Sequence, residues 1–278
     1  MTDDTQALDL HKASAYLGTH LPGFSGPLTA QKFQTGQSNP TFLLTTPQRK
    51  YVLRRKPPGA LLKSAHAVDR EFRVQKALSG SGVPVPEMYH LCEDDDVIGS
   101  AFYVMEHVNG RNFNDPLMAG ETNETRAAVI DDMNRVLAAL HDVDVDAVGL
   151  SDFGPPGNYY ERQIARWTKQ YRASETVEIP AMNQLMRDLP EALPDDDGQR
   201  GLVHGDYRID NMIFDAERPK CKAVLDWELS TVGHPYADLA AVIMQWRMPT
   251  GDEGRGLASV DRAALGLPSD AEFVARYC

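Results

Sequence analysis

The sequence predicts an α+β protein of two lobes, a small antiparallel sheet with one main helix followed by a larger, mainly helical lobe. Three observations carry this reading. Residues 29–108 read as three strands, one helix and two more strands; the text turns helical after Asn109 and Gly110; and a second cluster of short apolar pieces begins at Gly201. No internal repeat or low-complexity linker divides the 278 residues. One domain is expected, with a small lobe over about 1–108 and a large lobe over about 109–278.

The elements follow in order. Residues 30–33, 41–45 and 51–55 are strand-like and separated by the turn-rich 34–40 and 46–50, which makes an antiparallel meander. A helix over 64–78 places Val68, Phe72 and Gln75 to Ala77 at helical spacing, with Gly80 and Gly82 as its stop. Strands over 87–92 and 101–108 close the sheet. Between them the acidic run Glu93 to Asp96 suits a solvated hairpin tip better than a metal site, and Asp195 to Asp197, set between Pro194 and Gly198, reads likewise as a turn.

In the large lobe a helix over 122–141 carries Ile130, Met133, Leu137 and Leu140 on one face, with Asn123 as its N-cap. Helices over 158–172 and 181–189 carry the stripes Ile164, Trp167, Tyr171 and Met182, Leu185, Met186, Leu189, which are expected to be core. Short strands over 201–203, 212–214 and 222–225 precede a helix over 236–246. At the end, Ser269 to Glu272 forms a capping-box pattern ahead of Phe273, Val274 and Tyr277, yet the text stops at Cys278 with no terminator. A helix of barely two turns needs a partner or a continuation, so the chain is expected to be truncated there.

Composition excludes several classes. A 42% hydrophobic share is enough for a core, and a net charge of −12 gives no diffuse attraction to phosphate backbones or anionic lipid. Neither a nucleic-acid nor a membrane partner is expected. Cys92, Cys221 and Cys278 lie far apart, without CxxC spacing, which suits unpaired thiols in a reducing compartment. The acidic N-terminus is no export signal, and the longest apolar run, six residues over 239–244, falls short of the ~20 needed to span a bilayer. A cytoplasmic protein is expected; its oligomeric state is not legible.

The chemistry concentrates near two carboxylates. Asp206 follows the apolar 201–203, Asn211 comes five residues later, and Asp226 stands just beyond the next strand pair. Strand ends are where rigid scaffolding meets solvent. The set supplies one base and two hard oxygen ligands, which is what metal-assisted phosphoryl transfer needs. Asp and Asn are common in turns, but the joint spacing and the downstream Gly233-His234-Pro235-Tyr236-Ala237-Asp238 favour function over turn chemistry.

The pattern His204-Gly205-Asp206-x-x-x-x-Asn211 followed by Asp226 resembles the catalytic core of the aminoglycoside phosphotransferase and choline kinase family, which shares the protein-kinase fold. The resemblance covers about 29–246. Arg54-Arg55-Lys56-Pro57-Pro58-Gly59 and the later His66-Ala67-Val68-Asp69-Arg70-Glu71-Phe72-Arg73 are closest to the subgroup related to acyl-CoA dehydrogenases. It implies one kinase-like catalytic domain using ATP and Mg²⁺. Asp206 would be the catalytic base, and Asn211 and Asp226 would hold the metal. His204 and Asp238 would brace the loop. Arg54 would contact the phosphates with Glu71 as its helix partner, Arg55 being the alternative one register step away. Ser38 and Asn39, in a loop with one glycine, would contact phosphate, although a plain hairpin turn is nearly as good a reading. Main-chain groups of Glu106 and Val108 would hold adenine, and His107 between them would be a solvated hinge residue.

The resemblance implies a small-molecule hydroxyl acceptor, framed by Tyr207, Arg208, Trp227, Glu228 and parts of 150–175. Arg208 beside Asp206 suits an anionic acceptor such as a hydroxyacyl-CoA. An aminoglycoside or choline-like amino alcohol is the alternative, as is a catalytically silent nucleotide-binding domain. A carboxylate-pair glycosidase would leave Asn211 and the meander without a role.

Overall fold

The computed structural model describes residues 8–33, 39–57, 67–251 and 254–278. Its first element, α1 (Leu10–His20), is an addition to the predicted ones. Asp9 caps it by accepting the Lys12 N–H at 3.0 Å, and Ala13 and Leu17, one turn apart, are buried among Phe42, Leu44 and Leu53 of the sheet.

Strands β1 (Thr29–Lys32), β2 (Thr41–Thr45), β3 (Lys50–Arg55), β4 (Met88–Cys92) and β5 (Phe102–Glu106) pair antiparallel in the order β1-β2-β3-β5-β4. The expected meander is therefore present, and β3 is central. Its two faces bury different things. Tyr51 and Leu53 face the α1 side, whereas Val52 packs with Val68 and Phe72 of α2 (Val68–Ala77). Because side chains alternate, Arg54 goes with Val52 toward α2, and Arg55 goes with Leu53. There Arg55 donates to the Ile98 carbonyl at 3.2 Å and lies 5.8 Å from the Phe42 ring centre. The 93–99 connection is more than a hairpin tip. Asp94 accepts the Asp96 N–H, a single turn α3 (Asp95–Ile98) buries Ile98, and Gly99 closes it at φ 87°. The acidic side chains stay exposed, and no group of three or more His, Cys, Asp or Glu among the described residues is placed to hold a metal ion.

The large lobe is built on α4 (Asn123–His141), whose Ile130, Met133, Leu137 and Leu140 are all essentially inaccessible. Its N-cap is Thr122, which accepts the Thr125 N–H at 3.2 Å. Asn123, expected as the cap, instead donates to the Ala264 carbonyl. The helical periods of α5 (Tyr159–Ser174) and α6 (Pro180–Glu191) are present, but their burial is not: neither contains a buried residue. Trp167 is 49% exposed and Leu185 46%, so the stripes are not core. The two helices pack on one another and present their remaining apolar surface outward.

Two short ribbons carry the residues beyond 200. β6 (Gly201–Val203) pairs with β9 (Thr231–Gly233), and β7 (Met212–Phe214) with β8 (Cys221–Val224). Helix α7 (Tyr236–Trp246) follows, then α8 (Asp270–Tyr277), whose capping box forms and whose Phe273 is buried on α4, the partner a short helix requires. Cys92, Cys221 and Cys278 are unpaired. No described helix is long and apolar enough to cross a membrane.

Candidate active site

The two ribbons set the geometry. Met212 lies opposite Val224, so Asn211 and Leu225 are the next residues out, and the Leu225 N–H donates to the Asn211 carbonyl at 2.8 Å. Asn211 and Asp226 are thereby neighbours across a ribbon end. The Asn211 amide also donates to the Asp206 carbonyl at 2.9 Å and to its carboxylate at 3.1 Å. All three residues singled out by spacing converge.

Two buried residues fix that convergence. His204 donates from Nε2 to the Leu225 carbonyl at 2.9 Å, since a carbonyl can only accept, and Nδ1 accepts the Asp206 N–H at 3.2 Å. These partners select the neutral Nε2–H tautomer and tie the backbone of Asp206 to the residue before Asp226. Asp238, 1% exposed, accepts the His204 and Gly205 N–H groups at 2.7 and 2.8 Å. Gly205 sits at φ 86°, and a Cβ there would lie 2.8 Å from the Leu229 carbonyl oxygen, so the turn into Asp206 requires glycine. Asp226 itself has φ 64°, a conformation that costs a non-glycine residue about 1 kcal/mol or more and persists only where its surroundings impose it.

The small lobe contributes Arg54. Its Nε lies 2.9 Å from Glu71 on α2, and its Nη2 lies 2.6 Å from Asp226 and 3.5 Å from Glu228. One guanidinium thus joins the helix carboxylate of one lobe to the strand-end carboxylate of the other. Burial acts to lower the Arg54 pKa, but Glu71, Tyr103, Asp226 and Glu228 outweigh it and hold it above its ordinary value. Glu71 is 1% exposed, and burial pushes its carboxyl up to about 7.

Other expected contacts fall differently. Asn39 is buried, and its amide donates to Glu71 at 2.7 Å, so it is turned to α2 rather than held ready for phosphate. Ser38 lies outside the described residues. The Glu106 N–H is spent on the Glu87 carbonyl at 2.8 Å and so is not held ready for adenine, while Val108 and His107 are half-buried beyond the end of β5. The expected acceptor frame needs correction. Tyr207 and Trp227 are each 1% exposed and donate to the Met133 and Val224 carbonyls, so both are core. Arg208 is engaged bidentately by Asp210 at 3.0 and 2.9 Å, and Arg255 donates to the same carboxylate. Glu228 faces Arg54.

Tyr103 is the residue the sequence does not flag. It stands opposite Arg54 in the β3–β5 register, is 2% exposed, and donates to Glu71 at 3.0 Å. Only the register could have revealed it. The donor set of Asp226, Asn211 and neighbouring Glu228 is all hard oxygen with excess negative charge, which fits Mg²⁺ rather than a thiophilic ion.

Residues 29–272 match the phosphotransferase enzyme family. Acyl-CoA dehydrogenase family member 10 of Mus musculus is 46% identical over 263 residues, covering 94% of this chain and 24% of that protein. Member 11 of Rattus norvegicus is 44% identical over 279 residues, covering 97% and 35%. The chain therefore spans about a quarter to a third of the length of these curated relatives. A crystal structure from Ralstonia eutropha, described provisionally as an aminoglycoside phosphotransferase, shows 48% identity and a TM-score of 0.85, covering 98% of this chain and 80% of that one. An aminoglycoside phosphotransferase solved as a ternary complex with streptomycin and ATP has a TM-score of 0.63 at 17% identity, covering 98% and 82%. The fold is the two-lobed, protein-kinase-like one that the motifs implied.

Proposed function

Because the chain belongs to the phosphotransferase enzyme family, we propose that it is a kinase-like catalytic domain, cytoplasmic in setting, that transfers the γ-phosphoryl group of ATP to a hydroxyl of a small molecule. The observation that carries this reading is the contact of Arg54 with Asp226, across the lobes, beside the Asn211–Asp206 hydrogen bond. A base, an oxygen ligand set and a phosphate-gripping cation meet at one place.

Each residue then has a task. Asp206 accepts the proton of the acceptor hydroxyl as its oxygen bonds to the γ-phosphorus; the bond to the β–γ bridging oxygen breaks and ADP leaves. Asn211 orients the Asp206 carboxylate through its amide and, with Asp226, would hold Mg²⁺. Bound there, Mg²⁺ supplies charge neutralisation at the β- and γ-phosphates. Arg54 exchanges its contact with Asp226 for phosphate oxygens while Glu71 retains its Nε side. The carbonyl of Glu106 and the main chain of Val108 would take adenine.

For the acceptor we favour a hydroxyacyl thioester of CoA, a reading supported by the acyl-CoA dehydrogenase names of the relatives at 46% and 44% identity. Arg208, engaged by Asp210, lends it no support. The 48% identity to the Ralstonia chain keeps aminoglycosides as the second reading. The test is ATP consumption with Mg²⁺ against hydroxyacyl-CoAs, aminoglycosides and amino alcohols, with mass-spectrometric detection of the phosphorylated product. Phosphorylated hydroxyacyl-CoA, absent with Asp206→Asn, is expected; an aminoglycoside as sole acceptor overturns the acceptor class, and no phosphorylated product from any acceptor overturns the phosphotransferase reading.

A further inference from the structure

We propose that Tyr103 and Asn39 are positioning residues for phosphoryl transfer, which hold Glu71 as an aimed carboxylate so that Arg54, ion-paired to it on the Nε side, turns its Nη edge toward the phosphates. This rests on the reading of Arg54 as the phosphate-gripping cation. It gives Asn39 a role other than the phosphate contact expected of it and adds Tyr103, which no motif specifies.

The geometry is a hub. Glu71 on α2 accepts the Tyr103 hydroxyl from β5 at 3.0 Å and the Asn39 amide from the entry to β2 at 2.7 Å, and it forms an ion pair with Arg54 of β3, whose Nε lies 2.9 Å away without a hydrogen bond aimed at the carboxylate. Its own helix adds Gln75, whose amide donates to the Glu71 carbonyl at 3.1 Å. Beyond Arg54 stand Asp226 and Glu228 of the large lobe. Arg54, Tyr103, Asn39 and Glu71 are all nine-tenths or more buried, so none of them can exchange its partner for water cheaply.

The division of labour follows from valence. A carboxylate has two oxygens, and here Asn39 takes Oε1, while Tyr103 and Arg54 share Oε2. With both oxygens anchored, the carboxylate plane is fixed relative to β3. Arg54 then approaches Glu71 on its Nε side, as an ion pair, and keeps Nη2 pointing into the cleft, where Asp226 holds it. Without the two anchors Glu71 could rotate and accept a bidentate fork from Arg54, as Arg–carboxylate pairs prefer, and the edge meant for phosphate would be consumed inside the small lobe.

Charge supports the same arrangement. Burial raises the Glu71 carboxyl, and Asp226 and Glu228 push in the same direction; Arg54 and the Tyr103 hydroxyl oppose them, with the result near 7. A neutral donor that hydrogen-bonds the charged form lowers a carboxyl pKa, so removing Tyr103's hydroxyl or Asn39's amide raises it further.

The test uses Tyr103→Phe, which keeps the ring and its packing, and Asn39→Leu, which keeps the volume. The first readout is the ¹⁵N–¹H resonance of Arg54 Nε, assigned by its loss in Arg54→Lys and observed without ligand. We expect a sharp, slowly exchanging signal in the unsubstituted protein that shifts and exchanges faster in both variants. The second is turnover against Mg·ATP concentration between pH 6 and 9. The KM for nucleotide is expected to rise about tenfold near pH 7 with a smaller change in kcat, and the acid limb of kcat/KM to move up by about one pH unit, with recovery toward pH 9. An unmoved Arg54 resonance with kinetics within twofold at every pH overturns the proposal, as does an equal loss at every pH accompanied by a lower melting temperature. A protein that neither binds nor consumes Mg·ATP overturns the phosphotransferase reading instead, and the resonance alone then decides whether Tyr103 and Asn39 hold Arg54.

Discussion

Arg54 is one cation facing three carboxylates, Glu71, Asp226 and Glu228, and that imbalance decides what the cleft can accept. Nucleotide phosphates alone would add negative charge to a negative site, whereas a nucleotide bearing a divalent cation relieves it. Asp226→Asn isolates this effect, because Asn has the same shape and tolerates the left-handed backbone at that position. We expect it to weaken Mg·ATP binding by roughly tenfold or more, since it removes a charged ligand. In the proposed roles, Asp206→Asn removes a base and no ligand. It is expected to lower kcat by roughly a thousandfold, within the range of a lost general base, with Mg·ATP affinity changed less than about threefold. Calorimetric titration beside steady-state kinetics separates the two; parallel losses of binding in both variants would contradict the separate roles. Asp206, Asn211 and Asp226 were legible because their spacing lies within one short stretch of chain, where ribbon geometry leaves few arrangements. Asn39 and Tyr103 each meet Glu71 across 32 residues, and a pairing at that distance has no local signature.

The elements show the same boundary between what a local pattern can and cannot specify. Periodicity identifies a helix and its apolar face, but not what covers that face. In α4 the face meets the large-lobe core, whereas in α5 and α6 an equally regular stripe stays outside. Helix α3, a single turn, falls below the length at which periodicity speaks, and α1 buries only Ala13 and Leu17, too sparse a stripe to announce it. Ile130→Ala is therefore expected to cost about 2–5 kcal/mol and Leu185→Ala less than about 1 kcal/mol, measured by urea unfolding. Comparable costs would mean that the outer stripe is covered in solution. Asp132 joins α4 to β8. It accepts the Cys221 N–H at 2.6 Å, Arg135 Nε at 2.7 Å and Lys220 Nζ at 2.8 Å. Burial acts to raise its pKa, but the hydrogen bonds from Arg135, Lys220 and Cys221 prevail and hold it below the usual carboxylate range. The folded value is the depressed one, so the stabilisation is full above the unfolded pKa of about 4 and is lost as pH falls through the folded value. Asp132→Asn should lower unfolding free energy by roughly 1–3 kcal/mol at pH 7, and the gap should narrow below about pH 4. A gap that is constant with pH would show that shape, not charge, makes the link.

Across the whole molecule, α2 is the element that belongs to both lobes. Its Glu71 reaches into the sheet, yet Val74 and Leu78 are counted among the large-lobe core with Met133 and Phe153. On its outer side Arg70 donates to the Phe153 carbonyl at 2.8 Å and the Ser230 carbonyl at 3.4 Å, with its guanidinium 4.0 Å from the Phe153 ring centre; Arg73 pairs with Asp152 and donates to the Gly149 carbonyl. A helix anchored this way cannot swing away from the ribbons without breaking large-lobe contacts, so the Glu71–Arg54 pair is positioned from the large lobe as much as from the sheet. Arg70→Ala tests that link from outside the cleft. The side chain is partly solvated, so its loss should cost only about 1 kcal/mol of stability. Its effect on function should be larger in proportion. Freed on one side, α2 can shift relative to β3, and displacements of about 1 Å at positioning groups can cost up to a hundredfold in rate. We expect kcat/KM for Mg·ATP to fall roughly five- to tenfold, and Arg70→Lys, which restores charge but not the planar stacking on Phe153, to recover only part of it. A double-mutant cycle between Arg70→Ala and Tyr103→Phe completes the argument. If both act through the placement of Glu71, their effects on kcat/KM combine to less than the product of the single losses; strict multiplicativity would mean that Arg70 and Tyr103 act independently.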